Sequence, residues 1–510
     1  MKLWPFRGGL RLPQYKTASS QSAIVPAPIP PRLVIPLQST WTQEAQVLVA
    51  AGERVLTGQP IARTGGEHGV AVHATSSGVI AAIEQHPIPH PSGIPVLCAL
   101  IDTDGRDEWD TALPAIDDYR HCAPALIRQR SRDSGIVGLG GAAFPSAVKL
   151  GASGIRQLVL NGVECEPYIT CDDRLMQERP ERVVGGLLLM RQALGADECL
   201  IAVEDNKPNA FIALQAALAA IGDATIRLVR VPSRYPAGGE RQLIYTLTGK
   251  EVPSGGLPAD IGVLCHNVGT AAAVYEAVVE GRPLISRVVT VTGPAAVRHG
   301  NYEVRLGTPM AELIRFSGGY GEQAQRLIMG GPMMGFTIGD DRTPLTQSSN
   351  CLLLDGPPQT AAAGTTRACI RCGACHEACP AGLLPQQLYW HTRGKDFEQA
   401  EYYGLFDCIE CGCCDVVCPS HIPLVQHFRY AKSELWTQQR ERQKAELARE
   451  RYEFRNIRLE REKEEQAKRR EAKKAALKKA QSQEGKKAAI QAALARAKQK
   501  KTQQSTERND

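Results

Sequence analysis

Cys369-Ile-Arg-Cys372-Gly-Ala-Cys375-His-Glu-Ala-Cys379-Pro380 returns further along the chain as Cys408-Ile-Glu-Cys411-Gly-Cys-Cys414-Asp-Val-Val-Cys418-Pro419. Both stretches read C-x2-C-x2-C-x3-C-P. Three thiolates at three-residue spacing wrap one face of an iron–sulfur cube, while the fourth, followed by proline, reaches the other cube. The pattern therefore predicts two [4Fe–4S] clusters, one on Cys369, Cys372, Cys375 and Cys418, the other on Cys408, Cys411, Cys414 and Cys379. A structural zinc site would not need two complete copies of a proline-terminated four-cysteine run. Cys413 falls between ligands without matching the pattern and reads as a bystander.

Working outward, the chain has 510 residues and sixteen cysteines, nine of them between Cys369 and Cys418. A disulfide framework would demand an oxidising compartment. The start, Met-Lys-Leu-Trp-Pro-Phe-Arg, lacks the apolar core of a secretory signal, and no run of eighteen apolar residues occurs. The expectation is a protein of the cytoplasm, carried elsewhere only by a partner. The other seven cysteines (Cys98, Cys122, Cys165, Cys171, Cys199, Cys265 and Cys351) read as small buried hydrophobes.

Downstream of the cysteines the composition changes. From Lys432 to Asp510 there are 24 Lys plus Arg against 13 Asp plus Glu, a net of +11, so with +6 for the whole chain residues 1–431 carry −5. Pairs such as Glu464 with Lys468 and Glu465 with Arg469 stand in the helix-supporting order. No apolar stripe continues past Leu459, so residues 432–510 read as a solvated basic helix, partly disordered toward its end. Such a tail suits a membrane surface or an acidic partner. Nucleic acid is not expected, because no aromatic or glycine-rich RNA-binding pattern accompanies the charges.

Upstream, residues 1–31 form a Pro-, Gly- and Ser-rich arm, and 355–366 a polar linker. Residues 32–118 alternate short apolar runs, such as Val47-Leu48-Val49 and Gly78-Val79-Ile80, with turn glycines, which predicts a small β domain. Ala51-Gly52-Glu53-Arg54-Val55 with Gly58-Gln59-Pro60-Ile61-Ala62 resembles the barrel-sandwich fold of lipoyl and biotinyl carriers. A carrier needs a lysine to acylate, yet no lysine occurs between Lys16 and Lys149, so the chemistry excludes that activity and leaves the fold.

Between 119 and 285, strand-like runs (Gln157–Leu160, Cys199–Val203, Ile226–Val229) alternate with helix-like stretches such as 207–221, predicting an α/β domain with a largely parallel sheet. Within it, Ser134-Gly-Ile-Val-Gly138-Leu-Gly140-Gly141-Ala-Ala143-Phe144-Pro145 satisfies G-x-G-x-x-A. No clear strand precedes it, as a dinucleotide fingerprint would require, so a bland glycine turn is an equal reading. Residues 286–354 begin with a strand near Arg287–Val291 and hold a short helix near Met310–Phe316.

The glycine loop with Phe144-Pro145 and Lys149, followed by Asn161, Glu164 and Glu166, then Gly239-Glu240, then Asn267-Val268 and Thr270, resembles the flavin- and NADH-binding subunit of respiratory complex I. The order of units more nearly resembles the C subunits of Rnf-type ion-translocating oxidoreductase complexes. These carry a barrel-sandwich domain, a flavin domain, a β-grasp (SLBB-like) unit, a two-cluster ferredoxin module at 367–431 and often a basic tail. The resemblance implies a multidomain α/β and α+β fold. It implies FMN lined by Gly138, Gly140, Gly141, Phe144 and Lys149, hydrogen-bonded by Asn161 and Asn267, with Gly239, Glu240 and Thr270 in the same site. Glu164 and Glu166 would face the ribose or nicotinamide of NADH.

Two residues depart from the complex I pattern: Arg241 stands where a second glutamate is usual, and Ala143 where a glycine is usual. The implied activity is electron transfer between NADH, FMN and two clusters, with no acid or base side chain required. Its setting would be a peripheral subunit on the cytoplasmic face of the bacterial inner membrane, bound to the other subunits of the complex. Cobalamin reductases of bacterial microcompartments share the domain order and are an alternative, as is a flavin-free iron–sulfur relay and docking subunit.

Overall fold

Continuous apolar runs, rather than alternating ones, mark strands covered on both faces. Four such runs make the central sheet: β1 (Gln157–Gly162), β2 (Glu198–Glu204), β3 (Ile226–Val231) and β4 (Val263–Asn267). The computed structural model describes residues 2–38, 45–66, 68–111, 113–357 and 365–506. All neighbours in the sheet are parallel, in the order β3-β2-β1-β4. The chain thus steps outward from β1 to β3 and then returns to the other side of β1. That reversal opens a crevice at the carboxyl ends of β1 and β4, where open α/β sheets bind ligands.

Helices cover the sheet, and the expected helix at 207–221 runs Pro208–Ile221. Pro180–Leu194 and Val268–Val279 pack closely: a Cβ on Gly186 would stand 1.8 Å from the Ala271 carbonyl oxygen, so only glycine permits the crossing.

The barrel-sandwich expectation is met by two antiparallel sheets. One has the order Arg32–Pro36, Val96–Thr103, Gly78–His86, Arg54–Val55; the other Ala45–Val47, Pro60–Thr64, Ala71–His73. Leu33, Ile35, Val55, Ile61, Val72, Ile80 and Ile101 fill the space between them. The third unit is a six-stranded mixed sheet led by Ser286–Thr292, Gly300–Arg305 and Cys351–Asp355, with the short helix at Met310–Phe316 buried against it. Its edge strand comes from the arm: Val25–Pro26 pairs in parallel with Tyr302–Glu303.

The linker expected at 355–366 lies mostly outside the described residues. A single helix spans Leu424–Thr506, so the expected helix is present through Thr506. Among the described residues no helix is long and apolar enough to cross a membrane.

Candidate flavin and iron–sulfur centres

The two cysteine runs are conformational copies. Arg371 and Glu410, each just before the second cysteine, take φ of 58°, and Gly373 and Gly412, just after it, take 82° and 75°. Short helices then follow at Ala374–Glu377 and Cys413–Val416. This backbone turns three thiols of each run to one side. Two cavities result. One is lined by Cys369, Cys372, Cys375 and Cys418; the other by Cys408, Cys411, Cys414 and Cys379. Each cavity takes its fourth cysteine from the opposite run, as the spacing predicts. Four thiols around an apolar hollow fit an iron–sulfur cube. Cys413 also lines the second hollow and is buried.

The residues expected to bind flavin gather at the crevice. Asn161 lies at the end of β1 and Asn267 ends β4, and the two stand opposite each other in the register of these adjacent strands. Asn161 Nδ2 donates to the Gly238 carbonyl (2.9 Å) while its Oδ1 accepts from Val163 N (2.9 Å). Asn267 caps the helix Val268–Val279 through Gly269 N (2.8 Å) and donates from Nδ2 to Asp172 Oδ2 (2.6 Å).

Asn267 also meets the glycine loop. A Cβ on Gly140 would lie 3.4 Å from Asn267 Cβ, and Leu139 N donates to Thr270 Oγ1 at 2.9 Å. No strand precedes that loop; the helix Pro124–Asp133 does, so its glycines serve a turn over the helix Val268–Val279 and not a Rossmann first turn. Gly141 has open space where a side chain would project. Ala143 takes φ of 47°, a left-handed conformation that favours the glycine usual at this position.

Lys149 Nζ reaches Glu240 Oε1 (2.9 Å) and the Cys265 carbonyl (3.2 Å), which brings the loop, β4 and the Gly239–Glu240 helix start together. Phe144 packs edge-to-face on His68, whose ring arrives from the β domain with centroids 5.5 Å apart. Amide, hydroxyl and ammonium donors around an open glycine loop fit a phosphorylated isoalloxazine.

Glu164 and Glu166 follow β1 but their carboxylates are engaged by backbone. Glu164 accepts from Asp172 N (2.8 Å) and Asp173 N (3.4 Å) at the start of the helix Cys171–Glu178. Burial pushes its carboxyl up to about 7, opposed by Lys16 and Lys207. Glu166 accepts from Met333 N (2.7 Å) and Met334 N (3.0 Å) of the third unit.

Sequence reading misses several participants. Lys16 and Lys207 donate to carbonyls of this loop; Arg287 Nη2 reaches Leu139 O (3.4 Å); Tyr235 Oη donates to Cys411 O (2.7 Å), joining the crevice rim to one cluster loop. Arg241 pairs with Asp407 of the cysteine module at 3.2 Å and donates to Gly256 O at 3.3 Å. No motif or spacing sets Lys16, Lys207, Arg287 or Tyr235 apart from other residues of their type.

Comparison with known proteins places the whole chain. The chain is 47% identical over 501 residues to a protein of Serratia proteamaculans named as the C subunit of an ion-translocating oxidoreductase complex, covering 98% of this chain and 70% of that one. It belongs to that family of C subunits. The Pseudomonas aeruginosa member is 48% identical over 468 residues, covering 91% of this chain and 60% of its own length, so the chain spans only part of these relatives.

Four domain families match along its length: an RnfC barrel-sandwich hybrid domain over 4–106, a Nuo51 FMN-binding domain over 131–276, an SLBB domain over 288–337 and a 4Fe-4S dicluster domain over 365–422. FMN and [4Fe–4S] clusters are therefore its cofactors. Among solved structures, an NAD+-reducing [NiFe]-hydrogenase in the air-oxidized state is 21% identical with a TM-score of 0.42, covering 56% of this chain and 55% of that one.

Proposed function

We propose that this member of the family is the peripheral electron-transfer subunit of a membrane-bound ion-translocating complex, passing electrons between NADH, FMN and two [4Fe–4S] clusters. The reading includes attachment to the complex's other subunits on the cytoplasmic face of the bacterial inner membrane. The division at 1–31, 32–118, 119–285, 286–354, 355–366, 367–431 and 432–510 gives each step its own unit. One observation carries it: Asn161 and Asn267 meet at the reversal point of the sheet, and the rim of that crevice packs on the loop carrying Cys411.

FMN exchanges two electrons with a hydride donor and one at a time with a cluster, which is the conversion this pairing of sites requires. The glycine loop with Gly138, Gly140 and Gly141 brings backbone close to the flavin phosphate, and Lys149 supplies charge. Asn161 and Asn267 orient the ring system, Thr270 fixes the glycine loop through Leu139 N, and Phe144 and its partner His68 shield one side from water. Gly239 and Glu240 form the opposite wall, and Glu164 and Glu166 hold the nucleotide-side loop in shape. Cys408, Cys411, Cys414 and Cys379 would hold the cluster on the flavin side, and Cys369, Cys372, Cys375 and Cys418 the outer one, each cluster supplying one-electron chemistry.

The test is anaerobic preparation of the full chain with assays for flavin, iron and sulfide, followed by titration with NADH. We expect one flavin, about eight irons, and bleaching of both chromophores. Iron without flavin, and no bleaching, would leave only a relay. Co-purification with integral membrane subunits checks the complex itself.

A further inference from the structure

Lys16 sits in the arm, and its half-buried side chain carries the ammonium onto a loop of the α/β domain. Its ammonium donates to three carbonyl oxygens of a single loop: Glu164 O at 2.8 Å, Glu166 O at 2.8 Å and Ile169 O at 2.6 Å. An ammonium has three N–H donors, and all three are matched here. Carbonyl oxygens converging on one buried point repel one another, and each would lose its solvation without a partner. Lys207 adds a second contact to Glu164 O at 3.2 Å.

The loop so held, residues 163–170, joins everything around the crevice. Val163 N donates to Asn161, whose amide in turn holds Gly238; Glu166 holds Met333 and Met334. The arm is itself anchored ahead of Lys16. Gly9 N donates to Ala378 O beside a cluster cysteine, Leu10 bridges to Tyr235, and Gln14 O accepts from Tyr168 N.

We propose that Lys16 is a positioning residue for the flavin and nucleotide crevice, an internal ammonium standing where a loop of convergent carbonyls would otherwise require a bound monovalent cation. It touches neither hydride nor cluster. It acts by fixing the backbone of residues 163–170, and through them Asn161 and Gly238. The inference deepens the flavin and NADH reading and rests on it.

The test compares the full-length, cluster-loaded chain with Lys16→Ala, measuring irons per chain, FMN Kd and the NADH KM with an artificial one-electron acceptor. Iron should stay at the wild-type value while FMN Kd and KM each rise about tenfold. Propylammonium, which has N–H donors, should restore both; tetramethylammonium, with the same charge and no donors, should not. Lys16→Met keeps the volume without the donors. It should show the same loss without rescue, and it decides the matter if the alanine variant does not fold.

The proposal is overturned if either variant binds FMN within about twofold of wild type, or if tetramethylammonium restores binding equally well. Loss of iron and flavin together in both variants overturns it too, because it would assign Lys16 to folding alone. A wild-type chain that binds FMN but oxidises no NADH would sink the NADH reading, while the FMN Kd values still decide the role of Lys16.

Discussion

All eight cysteines expected to hold the clusters lie between Cys369 and Cys418, whereas the residues expected at the flavin come from the glycine loop, the ends of β1 and β4 and the start of a helix at Glu240, with the arm and the β domain packed beside them. In the first region local spacing sets the chemistry, because three thiols on one short turn already define a face of the cube. In the second no segment holds enough donors to be a site. Sheet topology assembles it by returning the chain to the far side of β1. Damage should therefore spread differently: discrete and stoichiometric in the module, graded and shared in the crevice.

The sharpest way to break this comparison is through the crossed ligands. Cys379→Ala should remove one cluster, about four of about eight irons. Adding Cys411→Ala should remove no more, because both serve the same cavity. Adding Cys372→Ala instead should remove nearly all, because that thiol lines the other cavity. Iron and sulfide assays on anaerobic protein read all three. If the Cys379–Cys411 double variant lost both clusters, each run would hold its own cube and the interlocked assignment would be wrong.

The same contrast explains what the residues alone could tell. The cysteine spacing, the apolar runs and the helix at Met310–Phe316 are local signals; the runs appear as strands, the helix is present, and each cavity is lined by cysteines of both runs. The pairing of Asn161 with Asn267 depends on strand order, which no local pattern encodes; only the resemblance to complex I put them in one site. The strand Val25–Pro26 leaves no local signal because two residues, one of them proline, carry no periodicity, and its partner lies far along the chain. Lys16, Arg287 and Tyr235 went unseen for the same reason: each acts through a contact of long sequence separation.

A crevice variant should leave the module intact. A Cβ on Gly238 would stand 2.1 Å from the Val163 carbonyl oxygen, so Gly238→Ala must push apart the two segments that Asn161 joins. We expect FMN retention to fall about tenfold or more and stability by about 1–3 kcal/mol, with iron content unchanged. Flavin fluorescence and iron assay on one preparation check this. Equal loss of iron and flavin would show the two regions to be less separable than their construction suggests.

The pH response sharpens the comparison further. Burial raises the Glu164 carboxyl from its ordinary 4.5 to about 7, so the native state holds this proton more firmly than the unfolded chain. Its contribution to stability is complete below pH 4.5 and is lost as pH rises through about 7. Relative to Glu164→Gln, which has no such proton, wild type should weaken across that window by no more than about 3 kcal/mol. Denaturant midpoints of both proteins at about pH 5 and about pH 7.5, on either side of most of that window, measure the difference. A gap that widened in favour of wild type with rising pH would reverse the sign and place a charged carboxylate at the cap.

The smallest effect is expected where the two regions touch. Arg241, the residue that departs from the acidic pair of complex I, is only about a third exposed and pairs with Asp407 of the cysteine module. A partly exposed pair of this kind contributes about 0.2–1 kcal/mol and is screened by salt. Asp407→Asn should therefore lower stability by less than about 1 kcal/mol, with the deficit shrinking in high salt, and should leave FMN Kd unchanged. Arg241→Glu should do more, because it sets two carboxylates face to face at the same junction. If instead Arg241→Glu chiefly changed the NADH KM and left stability alone, the arginine would belong to the nucleotide pocket, and the contact that ties crevice to cluster would have to be sought at Tyr235 and Cys411.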